Sequence, residues 1–216
     1  MAKKRRKPKM EFRYYQMSAG SPILALLGQK WVQNYGNGVD YLHFHNYLEI
    51  GYCYGGDGHM ILGEEEERFY GGIVTVIPPN YPHTTNSDIG TVSKWEYLFI
   101  DVEGFMKKFL DNPVKAEKVI QRIYSRVLFF EEKENLSISK KIRKIMDIMR
   151  DGEEFFLEEA KGVLAALLVE IARLNRDSGE DKVAEDAGKL TNMVTRVLDY
   201  VSYHYMEDIK VEDLAN

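Results

Sequence analysis

His43-Phe44-His45-Asn46-Tyr47-Leu48-Glu49, followed by His83 just after the run Ile77-Pro78-Pro79-Asn80-Tyr81-Pro82, is the stretch on which the fold turns. Side chains alternate along a strand, so 43, 45 and 49 are expected on one face of a single strand, sharing one cavity. A barrel turns that face inward. His83, arriving from a neighbouring strand, then completes three histidines and one carboxylate, a donor set suited to a borderline divalent metal such as zinc, nickel, iron or manganese. A metal-free pocket would use the same four residues to hydrogen-bond a small polar ligand or one another. Either way, His43, His45, Glu49 and His83 line the cavity.

Outward from this stretch, residues 11 to 101 read as short aromatic and β-branched runs, such as Tyr52–Tyr54, Met60–Leu62 and Ile73–Ile77. Glycines punctuate them at 55, 56, 58, 63, 71 and 72. That spacing predicts an antiparallel barrel or sandwich. The segment resembles the cupin family. Its second motif is visible in Gly72-(x5)-Pro78-x-Asn80-x2-His83, with Asn80 where the family has glycine and Asn86 one residue early. The first motif keeps Gly56 at its end, with its leading glycine, Gly38, one place late. The resemblance implies a jelly-roll-like barrel and does not choose between enzyme, storage protein and sensor. Alternation along Trp95-Glu96-Tyr97-Leu98-Phe99 puts Trp95, Tyr97 and Phe99 on one face. These rings are candidates to stack on a sugar or another small ligand, or to form barrel core. Tyr97 is the strongest ligand candidate because its hydroxyl needs a partner.

After Gly104 the texture becomes helical, and Pro113 is the last proline. Ile138, Ile142, Ile145, Met146 and Met149 form one stripe. Phe156, Ala160, Val163, Leu164, Leu167, Leu168, Ile171 and Leu174 form a longer one. Asn175 to Lys189 is polar and aperiodic, as a linker is. Helical spacing resumes at Val194, Val197, Leu198, Val201 and Tyr205. The stretch Leu198 to Ala215 resembles the opening of the DNA-binding domain of bacterial AraC-type transcription regulators, with Lys210 where that family has a capping serine or threonine. Phe99-Ile100-Asp101-Val102-Glu103-Gly104 and the helices after it are family-like as well.

The resemblance implies an α+β architecture: a basic disordered tail (1–10), a cupin ligand-sensing barrel (11–105), a helical dimerisation region (106–174), a linker (175–189) and the truncated start of a helix-turn-helix domain (190–216). It further implies a small-molecule effector, a sugar being the family-level expectation. The long helical stripe would be the homodimer surface, and operator DNA would be held only through the missing C-terminal part, so no residue of this chain is assigned to DNA. The rival reading is a metal-dependent cupin enzyme, a dioxygenase or isomerase. Such an enzyme needs an open coordination position and has no use for a helix-turn-helix beginning. No catalytic residue is assigned.

Composition narrows the field. With 44% hydrophobic residues among 216 the chain can build a core. Its longest strongly apolar run, Val163 to Val169, is far short of the ~20 residues that span a bilayer. No apolar segment follows the basic N-terminus, so a cytoplasmic location is expected. One cysteine, Cys53, allows neither an internal disulfide nor a thiolate cluster. Lys3, Lys4, Arg5, Arg6, Lys7 and Lys9 carry six positive charges; subtracting them from the net −5 leaves the remainder near −11, which repels a phosphate backbone.

Overall fold

Ile73-Val74-Thr75-Val76-Ile77 is almost wholly apolar, which a strand tolerates only when both of its faces are covered. In the computed structural model it is β8 (Ile73–Ile77), and all five residues are buried. The structure describes residues 9–28, 32–33 and 41–177. The basic tail to residue 8, Trp31, Gly38, the linker beyond Asp177 and the helix-turn-helix start at 190–216 lie outside the described residues.

Two sheets form the framework. The first runs β1 (Lys9–Arg13), β4 (Tyr41–His45), β9 (His83–Ser87), β6 (Gly58–Leu62) and β7 (Glu65–Phe69). The second runs β11 (Leu128–Glu131), β8, β5 (Leu48–Gly55), β10 (Ser93–Ile100) and β2 (Ile23–Leu26), with β3 (Val32–Gln33) also on β10. Pairing is antiparallel except between β1 and β4, which are parallel with Phe12 beside Phe44.

The second sheet separates two cores. From its strands Leu48, Ile50, Val74, Val76, Leu98 and Ile100 cluster with helical residues such as Ile142, Ile145, Leu164 and Leu168. The alternate positions, Cys53, Ile73, Ile77, Trp95, Tyr97 and Phe99, cluster with Met60, Leu62 and Phe69 of the first sheet. Period-two alternation thus sends neighbouring residues of one strand into different cores. The inner core, between the two sheets, is the interior of the expected jelly-roll-like barrel.

Helices α1 (Val102–Phe109), α2 (Pro113–Tyr124), α3 (Leu136–Asp151) and α4 (Phe156–Leu174) cover the outer side of that sheet. Local chemistry sets their starts. The Asp101 carboxylate caps α1 by accepting from the Gly104 backbone N–H at 2.9 Å, and a Cβ on Gly104 would stand 2.2 Å from Asp101 Oδ2. That contact accounts for the Asp-x-x-Gly spacing. Asn112 caps α2 in the same way ahead of Pro113.

Two expectations change here. The region from 106 to 174 is not wholly helical: β11 pairs with β8, Phe130 opposite Val74, and completes the second sheet. The stripe expected as a dimer surface is turned inward, with Ala160, Leu164, Leu167, Leu168 and Ile171 at 0% exposure. It packs within the chain, where α4 meets α1, α2 and α3.

Glu96, on the helix-facing side of β10, ties sheet to helix. It accepts from Arg150 Nη2 at 2.6 Å and from the Gly28 backbone N–H at 2.7 Å. Arg150→Met leaves that buried carboxylate short of a partner, and a stability loss of about 1–2 kcal/mol is expected in urea denaturation. An unchanged midpoint would show that the bridge contributes nothing.

Candidate functional site

The polar centre is assembled at the end of the inner core from three strands. His43 and His45 lie on β4, Glu49 on β5 and His83 on β9, with His43 paired opposite His83. The expectation of a single strand carrying 43, 45 and 49 is corrected: the chain breaks at Asn46-Tyr47 and passes from one sheet to the other. The residues still converge, because the corner aims the start of β5 back at β4.

The turn before His83 also has a local cause. Tyr81 N–H donates to the Pro78 carbonyl, Asn80 has φ 60°, and its N–H donates to the His45 carbonyl at 2.7 Å. Asparagine tolerates this left-handed conformation better than most residues, which explains how Asn80 stands where the cupin pattern has glycine.

His45 and His83 are at most 1% exposed and Glu49 4%, while His43 is partly open. His45 Nε2 lies 3.0 Å from Glu49 Oε2, and His83 Nε2 lies 3.5 Å from Oε1. Neither contact is well directed as a hydrogen bond, so both Nε2 atoms are buried without a good partner. The two Nδ1 atoms face backbone carbonyls at 2.8 Å, those of Tyr47 and Tyr81. Carbonyls only accept, so each Nδ1 carries a proton. His43, Glu49 and His83 each bring one ligand atom within 4.8 Å of the others; His45 stands outside that group.

Burial, and next the neighbouring His83, drive the His43 pKa down to about 3. Burial pushes the Glu49 carboxyl up, but the electrostatic pull of His83 and contacts from His45 and His83 outweigh it and hold the group well below the usual carboxylate range. Both shifts act in one direction. Below about pH 6.5 the unfolded chain takes up a proton at His43 that the folded chain refuses. The stability held in the neutral ring is therefore complete above that pH and drains away down to about pH 3. Glu49 adds a similar loss below its unfolded pKa of about 4.5. Between about pH 6 and 4 the parent should lose up to about 1.4 kcal/mol per pH unit from His43. The curve for His43→Leu should be flatter; equal slopes would contradict a neutral His43.

The aromatic candidates are interior. Trp95, Tyr97 and Phe99 are 1%, 8% and 2% exposed. Trp95 stacks on Tyr97 with centroids 5.9 Å apart, and Phe99 stacks on Tyr15 at 3.9 Å while meeting the edge of His45 at 5.0 Å. A sugar would have to displace a ring to stack here. Sequence reading missed Tyr15 and Asn46. The Asn46 side chain holds the Tyr15 backbone by two 3.0 Å hydrogen bonds, setting that ring on Phe99. An asparagine between two strand patterns was the available signal.

Residues 34–168 match the AraC-like ligand binding domain family. The chain belongs to this family. No curated protein matches it by sequence. Among solved structures, the AraC-like domain resembles apo ToxT K231A from Vibrio cholerae strain SCE256, with TM-score 0.55, 10% identity, and coverage of 91% of this chain and 70% of that one. ToxT from Vibrio cholerae O395 gives 0.49 at 8% identity, covering 90% and 67%. The AraC-like transcriptional activator CuxR gives 0.41 at 12%, covering 78% and 55%. At such identities the first likeness speaks for the fold alone. Among the described residues of the AraC-like domain, no helix is long and apolar enough to cross a membrane.

Proposed function

We propose that this AraC-like domain senses a small-molecule effector at the His43, His45, Glu49 and His83 centre and is the regulatory part of a transcription factor. The observation that carries this reading is the pair of buried Nε2 atoms without directed partners beside a buried carboxylate. Such atoms cost stability unless something binds them. A sugar remains within the proposal, although the neighbouring rings engage one another, which favours recognition through the imidazoles and carboxylate over stacking. Family membership supports a regulator over an enzyme.

DNA contact through a helix-turn-helix beginning at 190–216 and homodimerisation complete the reading. Both rest on the family resemblance, since the inward α4 stripe is already buried. The effector would act by favouring one placement of the barrel and its helices over another, which requires different affinity for the two.

The test is a thermal-shift screen of small metabolites on the parent, His83→Ala and Glu49→Gln chains in chelator-containing buffer. Stabilisation of the parent that disappears in both variants supports the site. Hits that shift all three equally would place the effector elsewhere.

A further inference from the structure

We propose that β1 is the interface for a second copy of this chain: two β1 strands pair edge to edge, antiparallel about a two-fold axis at Phe12, and join two five-stranded sheets into one. β1 is the last strand of its sheet, and among the described residues no strand lies on its other side. Such edges are commonly blunted by proline, a bulge or charge. Here Lys9-Met10-Glu11-Phe12-Arg13 has no proline and pairs with β4 without a register shift, and Met10 is exposed. The opposite edge of the same sheet is the contrast: on β7, Glu65, Glu66 and Glu67 are exposed and would repel a copy of themselves.

The backbone limits which residues can pair. The Tyr15 N–H and C=O both engage the side chain of Asn46, which follows β4. Backbone direction alternates along an extended chain, so Arg13 and Glu11 also face β4, while the N–H and C=O of Met10 and Phe12 point to the open edge. Charge then chooses the register. An axis at Glu11 sets Glu11 against Glu11, and one at Arg13 sets Arg13 against Arg13; like charges directly opposite are destabilising. An axis at Phe12 joins Phe12 to itself through reciprocal N–H to C=O bonds and sets Glu11 of each copy opposite Arg13 of the other, self-complementary as a two-fold contact must be. Within one chain Arg13 meets Glu11 only at 3.2 and 3.4 Å, with both groups about half exposed, a weak contact that pairing across the axis can replace. Because the α4 stripe is buried within the chain, β1 supplies the surface that homodimerisation requires, an assignment that rests on that reading.

The test is sedimentation equilibrium of the full chain and of its Glu11→Arg, Arg13→Glu and Glu11→Arg/Arg13→Glu forms. One strand pair makes a small interface, so a reversible dimer with a dissociation constant of about 10–100 μM is expected. Either single reversal opposes like charges on both sides of the axis and should weaken the dimer about tenfold or more, and the double exchange should restore it to within about threefold. Both side chains are exposed, so the variants keep the fold. Oxidised Phe12→Cys chains should form a covalent dimer, since a hydrogen-bonded pair holds its Cα atoms about 5.5 Å apart, within disulfide reach; Cys53 is buried and does not compete. A dimer that the reversals leave unchanged, one that the double exchange fails to restore, or one in which Phe12→Cys does not cross-link would overturn this interface and leave homodimerisation to another surface. A parent still monomeric at about 1 mM would overturn both. The effector screen stands apart from either outcome.

Discussion

A Gly58→Ala chain is expected to lose about 3 kcal/mol or more of stability, enough to make most of its product insoluble. The added Cβ would stand 2.0 Å from the backbone oxygen of Asn86 and 2.7 Å from the Phe69 ring. Asn86 belongs to β9, paired to β6, so the clash is with a backbone that cannot step aside without breaking the ladder. Overpacking that a side chain can relieve costs about 1–3 kcal/mol; here relief would have to come from the sheet. Native domains hold only about 5–15 kcal/mol in all. Gly152→Ala makes the control. Gly152 ends α3 at φ 63° with open space around it, so the loss should be the conformational one, about 1–2 kcal/mol. Urea denaturation of both chains separates the two causes. Equal losses would mean that the contact at Gly58 relaxes.

Trp95→Ala should cost about 3–5 kcal/mol, the range for deleting a buried aromatic side chain. The ring is 1% exposed and meets Phe69 edge-on at 5.2 Å. Its indole N–H is buried without a partner. Trp95→Phe therefore removes an uncompensated donor along with part of the volume, and should cost less than half as much. If phenylalanine proves as damaging as alanine, the N–H is bonded in solution. The paired urea midpoints decide it.

Much of both cores was readable because it depends on local pattern. Glycine-spaced β-branched runs became β5, β6 and β8, and Ile138, Ile142, Ile145 and Met146 form the buried face of α3. The four polar residues were picked out by their spacing, and they converge from three strands, not from the one strand and its neighbour that the spacing suggested. What escaped depends on distant partners. Lys9 and Met10 read as tail, yet they belong to β1, whose place is set by a parallel neighbour some thirty residues away. Leu128-Phe129-Phe130-Glu131 is too short to declare a period among helices, and only the open edge of β8 makes it a strand. The break at Asn46-Tyr47 escaped because a strand corner keeps the same residue types. The breadth of the α4 stripe was ascribed to a second subunit when it reflects three helical neighbours within the chain.

β11 sets a rule for exchanging this sensor between regulators. A cut at the change of texture near residue 105 would carry away His43, His45, Glu49 and His83 but leave behind the outermost strand of their supporting wall, along with the helices that cover its far side. The graft would arrive with a raw hydrogen-bonding edge on β8 and with Ile50, Val74, Val76 and Leu98 bared to water, an invitation to polymerise. The smallest transplantable cassette accordingly ends after α4, so recombination would be expected to pass the barrel and its helices on together.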